Sequence, residues 1–133
     1  MGLDATGDIY IVDVVRERFE FPDLKRRMIV LNNQWRGRGL RGIYIEDKAS
    51  GQSLIQELKR ESGVSVISYK VSSDKVSRLA SVLPLIEGGR VFIPSAANWL
   101  DDFHDEMQTF PSGTHDDMVD ALSIGLDVPA RTP

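Results

Sequence analysis

Segments with strand periodicity alternate with segments of helical periodicity along this chain, and this alternation limits the folds open to it. Strand-like segments are rich in β-branched and aromatic residues or alternate in polarity; they are 8–21, 42–46, 64–71 and 90–94. Helix-like segments place apolar residues three and four positions apart; they are 22–35, 49–62, 72–84, 98–110 and 115–126. Strands alternating with helices predict an α/β fold with a largely parallel sheet.

Turn and capping residues predict where these elements begin and end. Pro22 suits the first turn of a helix, and Asn98 is expected to cap the helix that follows it. The helix after Asp74 is expected to end at the break from Pro84 to Gly89. We therefore expect one domain over residues 1–127 and a disordered tail over 128–133.

The composition limits the chemistry. The 133 residues include no cysteine, so a metal would have to be held by carboxylates or by His104 and His115. Carboxylate oxygens favour hard cations such as Mg²⁺ or Mn²⁺. The net charge of −4 argues against a uniformly positive nucleic-acid binder. No secretion signal or membrane-length apolar run is found, so a cytosolic protein is expected.

Glu46 and Asp47 stand where a predicted strand ends and a predicted helix begins. Ligands of open α/β sheets gather at the carboxyl ends of strands, which favours a functional carboxylate at this point. Acidic residues also favour the positive end of a helix for purely structural reasons. Position alone leaves both interpretations of Glu46 open.

A second acidic cluster is formed by Asp116, Asp117 and Asp120, next to His115. Like charges at these helical spacings repel one another, so a cation is expected to relieve them. Asp116 and Asp117 could instead cap the helix, an interpretation that explains Asp120 less well. The pattern therefore favours metal binding.

Several basic residues could contact phosphate. Lys75 and Arg78 lie three apart at a predicted helix start. A second basic group consists of residues 25–27 with Arg36, Arg38 and Arg41. For both groups a solvated surface is the commoner explanation. The acidic residues 101, 102, 105 and 106 are interpreted as a solvated helix face.

Five stretches, in this order and spacing, resemble the C-terminal nuclease domain of tailed-phage large terminase subunits: IYIVDVVRERFEFPDLKR, IEDKASGQSLIQEL, DKVSR, GGRVFIP and HDDMVDALS. The likeness covers nearly the whole chain. It implies a ribonuclease H-like α/β fold of three layers, with a mixed sheet flanked by helices.

The resemblance also implies a function. The implied function is that of a metal-dependent endonuclease, which would cut concatemeric viral DNA with two Mg²⁺ or Mn²⁺ ions. Glu46, Asp117, Asp120 and Asp116 would be the catalytic residues, the first three of them metal ligands; Lys48, Lys75 and Arg78 would contact DNA. The implied partners are double-stranded DNA, the portal protein and the small terminase subunit, in the cytoplasm of a bacterial host and not at a membrane.

The chain departs from the family pattern at its start. The family opens with two strands, the first bearing a catalytic aspartate, ahead of the segment that matches residues 7–16. We expect those two strands and the third corner of the metal site to be missing, and Asp4 to be a hairpin-loop acid. The sheet edge left exposed would favour self-association.

Whether the chain cuts DNA is left open by the sequence. One alternative is a terminase remnant without catalytic activity, which contacts DNA or a portal protein. Another is a different ribonuclease H-like nuclease, such as a junction resolvase or a transposase. The IEDKASGQSL motif favours a terminase over a junction resolvase or a transposase.

Overall fold

The computed structural model describes residues 1–71 and 73–131, with side chains described as far as residue 129. Helices and strands within these ranges confirm the predicted α/β class. They are β1 (Gly2–Leu3), β2 (Ile9–Tyr10), α1 (Phe21–Arg36), β3 (Ile43–Glu46), α2 (Ala49–Lys59), β4 (Val66–Tyr69), α3 (Lys75–Glu87), β5 (Val91–Phe92), α4 (Leu100–Thr109) and α5 (Asp117–Arg131). None of these helices is both long enough and apolar enough to cross a bilayer.

The chain divides into two compact units. The discontinuous unit consists of Met1–Arg16 and Ser73–Pro133, and the continuous unit is Glu17–Ser72. Each unit contains its own small sheet, with the order β1-β2-β5 in the first and β3-β4 in the second.

The sheet of the discontinuous unit is mixed. Strand β1 pairs antiparallel with β2, with Leu3 opposite Ile9, and β2 pairs parallel with β5, with Ile9 opposite Val91. The turn between β1 and β2 contains Asp4, which accepts hydrogen bonds from the backbone N–H groups of Thr6 and Asp8 at 2.9 and 3.0 Å. Asp4 is therefore a hairpin-loop residue that stabilises its own turn.

The core of the discontinuous unit forms where β2 meets three helices. Ile9 and Ile11 contribute the strand side of this core. Trp99 and Phe103 pack edge to face with ring centroids 5.6 Å apart. The other buried members come from helices α3, α4 and α5; they are Val82, Leu100, Met118, Leu122 and Leu126.

A buried carboxylate on α4 holds the beginning of α5. The side chain of Glu106 is only 1% exposed, and its Oε1 accepts hydrogen bonds from the backbone N–H groups of Met118 and Val119 at 2.6 and 3.0 Å. Its Oε2 accepts a hydrogen bond from the Arg16 guanidinium at 3.0 Å. The interpretation of Glu106 as part of a solvated face was wrong, because this side chain satisfies amides that a helix start leaves without intrahelical partners.

The continuous unit is built on a strand-helix-strand arrangement. Strands β3 and β4 run parallel, with Glu46 opposite Tyr69, and helix α2 connects them. Leu54, Ile55 and Leu58 form the buried face of α2. This arrangement places the carboxyl end of β3 directly before the first turn of α2.

Helix α1 completes the continuous unit. It begins one residue before Pro22, and a proline is tolerated there because the first N–H groups of a helix have no intrahelical partner. It ends at Arg36, with Gly37 as its C-cap. The amide of its buried Asn32 donates a hydrogen bond to the carbonyl of Gly63 at 3.0 Å. The helix predicted over 22–35 is thus confirmed within one residue at either end.

The first predicted strand, which corresponds to β2, is much shorter in the structure than its composition suggests. Residues 8–21 were predicted as strand, whereas pairing within β2 covers only Ile9–Tyr10. The partner strand β5 is itself two residues long, and Ile11 adds one further bond to the carbonyl of Phe92. Beyond that point the chain lacks a neighbouring strand among the described residues, and β propensity alone does not maintain an extended ladder.

Helix ends differ from the predictions at three places. Helix α3 continues through Pro84 to Glu87; the carbonyl that loses its bond belongs to Ala80, an exposed residue that water can reach. Helix α4 begins after Trp99, and Asn98 does not cap it. Helix α5 extends to Arg131, so residues 128–131 of the predicted tail are helical, and 132–133 lie outside the described residues.

Replacing Glu106 should destabilise the chain more than replacing its exposed neighbours. Glu106→Ala leaves two α5 amides and the Arg16 guanidinium without their acceptor, and we expect a loss of about 2–4 kcal/mol in the free energy of unfolding. Urea denaturation followed by circular dichroism measures this loss. Asp105→Ala, on the exposed side of α4, is the matched control; equal losses in the two variants would contradict the anchoring role.

The cap of α3 should make stability depend on pH. Asp74 accepts hydrogen bonds from the Ser77 backbone N–H at 2.8 Å and from its hydroxyl at 3.2 Å, and the backbone bond is the main cause that lowers the pKa of Asp74. Because the pKa of Asp74 is lower in the folded state, its ionised carboxylate stabilises the fold at pH values above the unfolded-state pKa of about 3.9. This stabilisation is lost as the pH falls through the folded-state pKa.

Thermal unfolding of the wild type and Asp74→Ala between neutral and acidic pH tests this dependence. The difference between their melting temperatures should shrink as pH falls below about 4. Asp74→Asn retains an acceptor that does not titrate, so its difference from Asp74→Ala should stay constant. A wild-type advantage over Asp74→Ala that is equally large at both ends of the pH range would refute this assignment.

Candidate functional site

Glu46 ends strand β3 with a partly enclosed carboxylate. Its side chain is 21% exposed, and the Lys48 ammonium lies 3.1 Å from its Oε1. That oxygen is itself buried and accepts no hydrogen bond among the described residues. Within the part of the chain that the structure describes, an ion pair with an exposed lysine is therefore its only compensation, although a buried carboxylate oxygen normally accepts hydrogen bonds as well.

The backbone around Glu46 is tightly packed. The Asp47 N–H donates to the Tyr69 carbonyl at 2.9 Å and fixes the end of β3 to its neighbour β4. A Cβ at position 51 would lie 2.1 Å from the carbonyl oxygen of Glu46. Only glycine lets the first turn of α2 approach so closely, so Gly51 determines how near this turn lies to the backbone of Glu46.

The acidic cluster of the discontinuous unit lies at the start of α5. Asp116 precedes the helix and its carbonyl accepts the Asp120 N–H at 2.9 Å; Asp117 is the first helical residue. Asp117 is exposed and forms no ion pair in the described part of the chain. His115, next to the cluster, is exposed, as is His104 on α4.

Two side-chain cations from α3 pair with this cluster. The Lys75 ammonium contacts the Asp116 carboxylate at 2.5 Å, and the hydrogen bond between them is the main cause that raises the pKa of Lys75. The Arg78 guanidinium contacts the Asp120 carboxylate at 3.0 Å. Each pair joins the first turn of α3 to the start of α5.

Arg78 is the buried member of these pairs. Its side chain is 7% exposed, and it also donates to the carbonyl of Ser73 at 3.2 Å. Its Nε atom is buried and has no hydrogen-bond partner among the described residues. A guanidinium so enclosed needs the Asp120 carboxylate as its counterion, because an unpaired buried charge is costly.

These pairs change the interpretation of the aspartates. The sequence predicted that a cation relieves the repulsion within the cluster, and Lys75 and Arg78 are cations that do so inside the chain. Both were also predicted to contact DNA. The structure pairs their charged groups with Asp116 and Asp120, so a role in DNA binding stays a prediction for them, as it does for Lys48.

The predicted site residues belong to different units. Glu46 lies in the continuous unit and Asp116, Asp117 and Asp120 in the discontinuous one. Within either unit, the described residues contain no group of three or more histidines or carboxylates that could hold a metal ion. The hard oxygen donors suit Mg²⁺ or Mn²⁺, and the buried oxygen of Glu46 and the exposed Asp117 are the donors best able to accept one.

Sequence reasoning missed Glu106, which positions the first turn of α5 and so the aspartates on it. The sequence contains a signal for this role. Glu106 follows Phe103 by three residues and Trp99 by seven, which places it on the apolar face of α4 instead of the face of Asp101 and Asp105. A carboxylate on an apolar face indicates a buried partner.

Comparisons with known proteins now add to this geometry. Comparison with curated proteins and comparison with solved structures each returned no match. The family described as the terminase RNaseH-like domain matches residues 4–127. This match spans nearly the whole chain and confirms both the resemblance to terminase nuclease domains and the ribonuclease H-like fold class. The chain belongs to the family of terminase ribonuclease H-like domains.

Proposed function

We propose that this chain is the metal-dependent endonuclease domain of a phage terminase large subunit and cuts concatemeric double-stranded DNA by phosphodiester hydrolysis. The family match over residues 4–127 supports a nuclease-type module. The observation that carries the metal-dependent part is the buried Oε1 of Glu46, which lies at a strand end and accepts no hydrogen bond among the described residues. A divalent cation would give this oxygen a second partner beside the Lys48 ammonium.

Glu46 would be the ligand of Mg²⁺ or Mn²⁺ in the continuous unit, and Asp117 and Asp120 would be the ligands in the discontinuous unit, with Asp116 as a further catalytic carboxylate. When bound, two such ions activate a water molecule and stabilise the leaving oxygen of a phosphodiester. Asp117 is exposed and can accept a ligand without breaking an ion pair in the described chain. Asp120 and Asp116 would first have to loosen their contacts with Arg78 and Lys75.

The same proposal names the setting and the partners. Lys48, and Lys75 once released from Asp116, would contact the DNA backbone as point charges. By analogy with terminases, the portal protein and the small terminase subunit would be the protein partners, in the cytoplasm of a bacterial host. These partners follow from the family alone.

A second candidate function is a fold that binds DNA or a portal protein without cutting. The two ion pairs between α3 and α5 favour it, since they engage Asp116 and Asp120 in holding two helices together. In that case Asp120 is a structural counterion for Arg78. The two candidate functions assign different roles to Asp120 and Asp117, as a metal ligand in the first and, for Asp120, as a structural counterion in the second.

Replacing Asp120 should cost more stability than replacing Asp117. Asp120→Ala removes the counterion of a buried guanidinium, and we expect a loss of about 2–4 kcal/mol in the free energy of unfolding. Asp117→Ala removes an exposed acid from a helix start and should cost less than about 1 kcal/mol. Denaturant titration of both variants checks this order, and a reversed order would contradict the structural pairing of Asp120.

Metal binding and DNA cleavage test the leading proposal. We expect Mn²⁺ to bind the wild type in calorimetry and to support nicking of supercoiled plasmid. Glu46→Gln and Asp117→Asn, which remove a ligand charge at similar size, should each weaken binding and abolish nicking. Chelation of the metal should stop the reaction.

Asp105→Asn is the matched control for this experiment, because it neutralises an exposed carboxylate outside the proposed site. It should bind Mn²⁺ and nick plasmid as the wild type does. Metal binding that is unchanged in Glu46→Gln and Asp117→Asn would overturn the ligand assignment. A folded wild type that never nicks plasmid with Mn²⁺ would favour the function without catalysis.

A further inference from the structure

The charges of this chain are divided unevenly between its two units. The continuous unit, residues 17–72, contains eleven Lys and Arg against seven Asp and Glu, a net charge of +4. The discontinuous unit contains five against thirteen, a net charge of −8. The overall charge of −4 therefore conceals a basic unit, which can attract a polyanion although the whole chain is acidic.

Four of the eleven cations of the continuous unit form ion pairs among the described residues, Lys48 with Glu46 and three others. Lys25 contacts Glu57 and Glu61 at 3.2 and 3.0 Å. Arg26 pairs with Asp23, and Arg60 pairs with Glu57 at 3.3 Å. Cations in such pairs contribute less to the attraction of an outside ligand than unpaired ones do.

Three of the remaining cations are concentrated at the last residue of α1 and in the segment that leads from it to β3. These residues, 36–42, read RGRGLRG, and we call them the arginine loop. Arg36, Arg38 and Arg41 are all exposed, and none of them forms an ion pair in the part of the chain that the structure describes. Three unpaired guanidinium groups within six residues make this loop a concentrated source of positive charge.

The arginine loop is ordered by its own backbone. The N–H groups of Arg38 and Leu40 both donate to the carbonyl of Trp35, at 2.9 and 3.4 Å. Gly39 has a φ of +86°, which favours glycine and lets the chain reverse direction. An ordered loop loses less conformational entropy when it binds a ligand.

The guanidinium groups of the loop keep their hydrogen-bond donors. The Arg38 guanidinium carbon lies 5.4 Å from the centroid of the Trp35 ring, a cation-π contact that holds the side chain without engaging its N–H groups. Apart from the adjoining chain, no heavy atom of the described residues lies within 4 Å of where a Cβ would be at Gly37 or Gly39. The loop backbone is therefore open to a close approach by a ligand.

We propose that the arginine loop binds the phosphate backbone of double-stranded DNA. Arginine presents a planar set of donors that matches phosphate, and the glycines between the arginines remove side chains that would keep a phosphate away. The position of Arg36 in the last turn of α1 also complements the helix dipole. Arg41 has no ion pair or aromatic contact in the described chain, and phosphate binding gives all three arginines one role.

This inference rests on the proposed function in that DNA is the ligand. It concerns a surface of the continuous unit that does not include Glu46 or the acidic cluster. Recognition through phosphate predicts little dependence on DNA sequence and a strong dependence on salt. It also predicts that binding needs no divalent metal.

Fluorescence anisotropy with a short labelled duplex tests the inference on the full chain, in EDTA and over a series of salt concentrations. Arg38→Gln with Arg41→Gln should weaken binding about tenfold or more near 0.1 M salt. The slope of log affinity against log salt should become shallower by roughly 2, since two phosphate contacts are lost. Lysine at both positions should restore most of the slope.

The matched control is Arg26→Gln with Arg60→Gln, which removes the same charge from exposed, paired arginines of the same unit. It should retain most of the wild-type affinity and slope, and circular dichroism should show all variants equally folded. Equal losses in the two double variants, or no binding by the wild type, would overturn the inference. If DNA binding depends on the arginine loop but the chain does not nick DNA with metal, the inference stands and the endonuclease proposal fails. If the chain nicks DNA but its binding does not depend on the loop, the endonuclease proposal stands and the inference fails.

Discussion

The acidic start of α5 depends on one buried carboxylate, that of Glu106. Its two oxygens join three parts of the discontinuous unit: helix α4, the first amides of α5 and Arg16, which follows β2. A helix start concentrates positive partial charge on its free N–H groups, and a fully enclosed anion is stable there because these groups and Arg16 compensate it. The register of Asp117 and Asp120 is fixed by this contact.

Once α5 is held in this way, its aspartates need counterions. Lys75 and Arg78 supply them from the first turn of α3, a turn that Asp74 caps. The two pairs differ in kind. Lys75 is 43% exposed, so water screens its pair with Asp116, whereas Arg78 is 7% exposed and depends on Asp120. Asp116 is therefore released from its counterion more readily than Asp120.

Much of the fold was predictable from local sequence. Helical spacing located α1 within one residue at either end, and polarity patterns located the parallel pair β3 and β4. The predictions that failed depended on partners distant in sequence. Residues 12–20 have strand composition but no partner strand in the described chain, and the apolar face that buries Glu106 is completed by α5.

The candidate site was predictable to a smaller extent. Residue types and spacing singled out Glu46, Asp116, Asp117 and Asp120, but spacing within one helix could not reveal that α3 would provide the counterions. The pair between Arg78 and Asp120 spans 42 positions in the sequence, a separation that no local pattern encodes. The burial of the Glu46 Oε1 atom without a hydrogen bond among the described residues is likewise a result of tertiary packing, which no local pattern encodes.

The division of charge would let an acidic chain bind the polyanionic substrate that we propose for it. A two-metal nuclease needs clustered carboxylates, and these repel DNA until cations neutralise them. In this chain most of the negative charge lies in the discontinuous unit, where Lys75, Arg78 and Arg16 already compensate part of it. The continuous unit combines a net positive charge with unpaired arginines, so attraction of DNA and accumulation of carboxylates need not occur in the same unit. A net charge averaged over the chain cannot reveal this separation, whereas a count for each unit does.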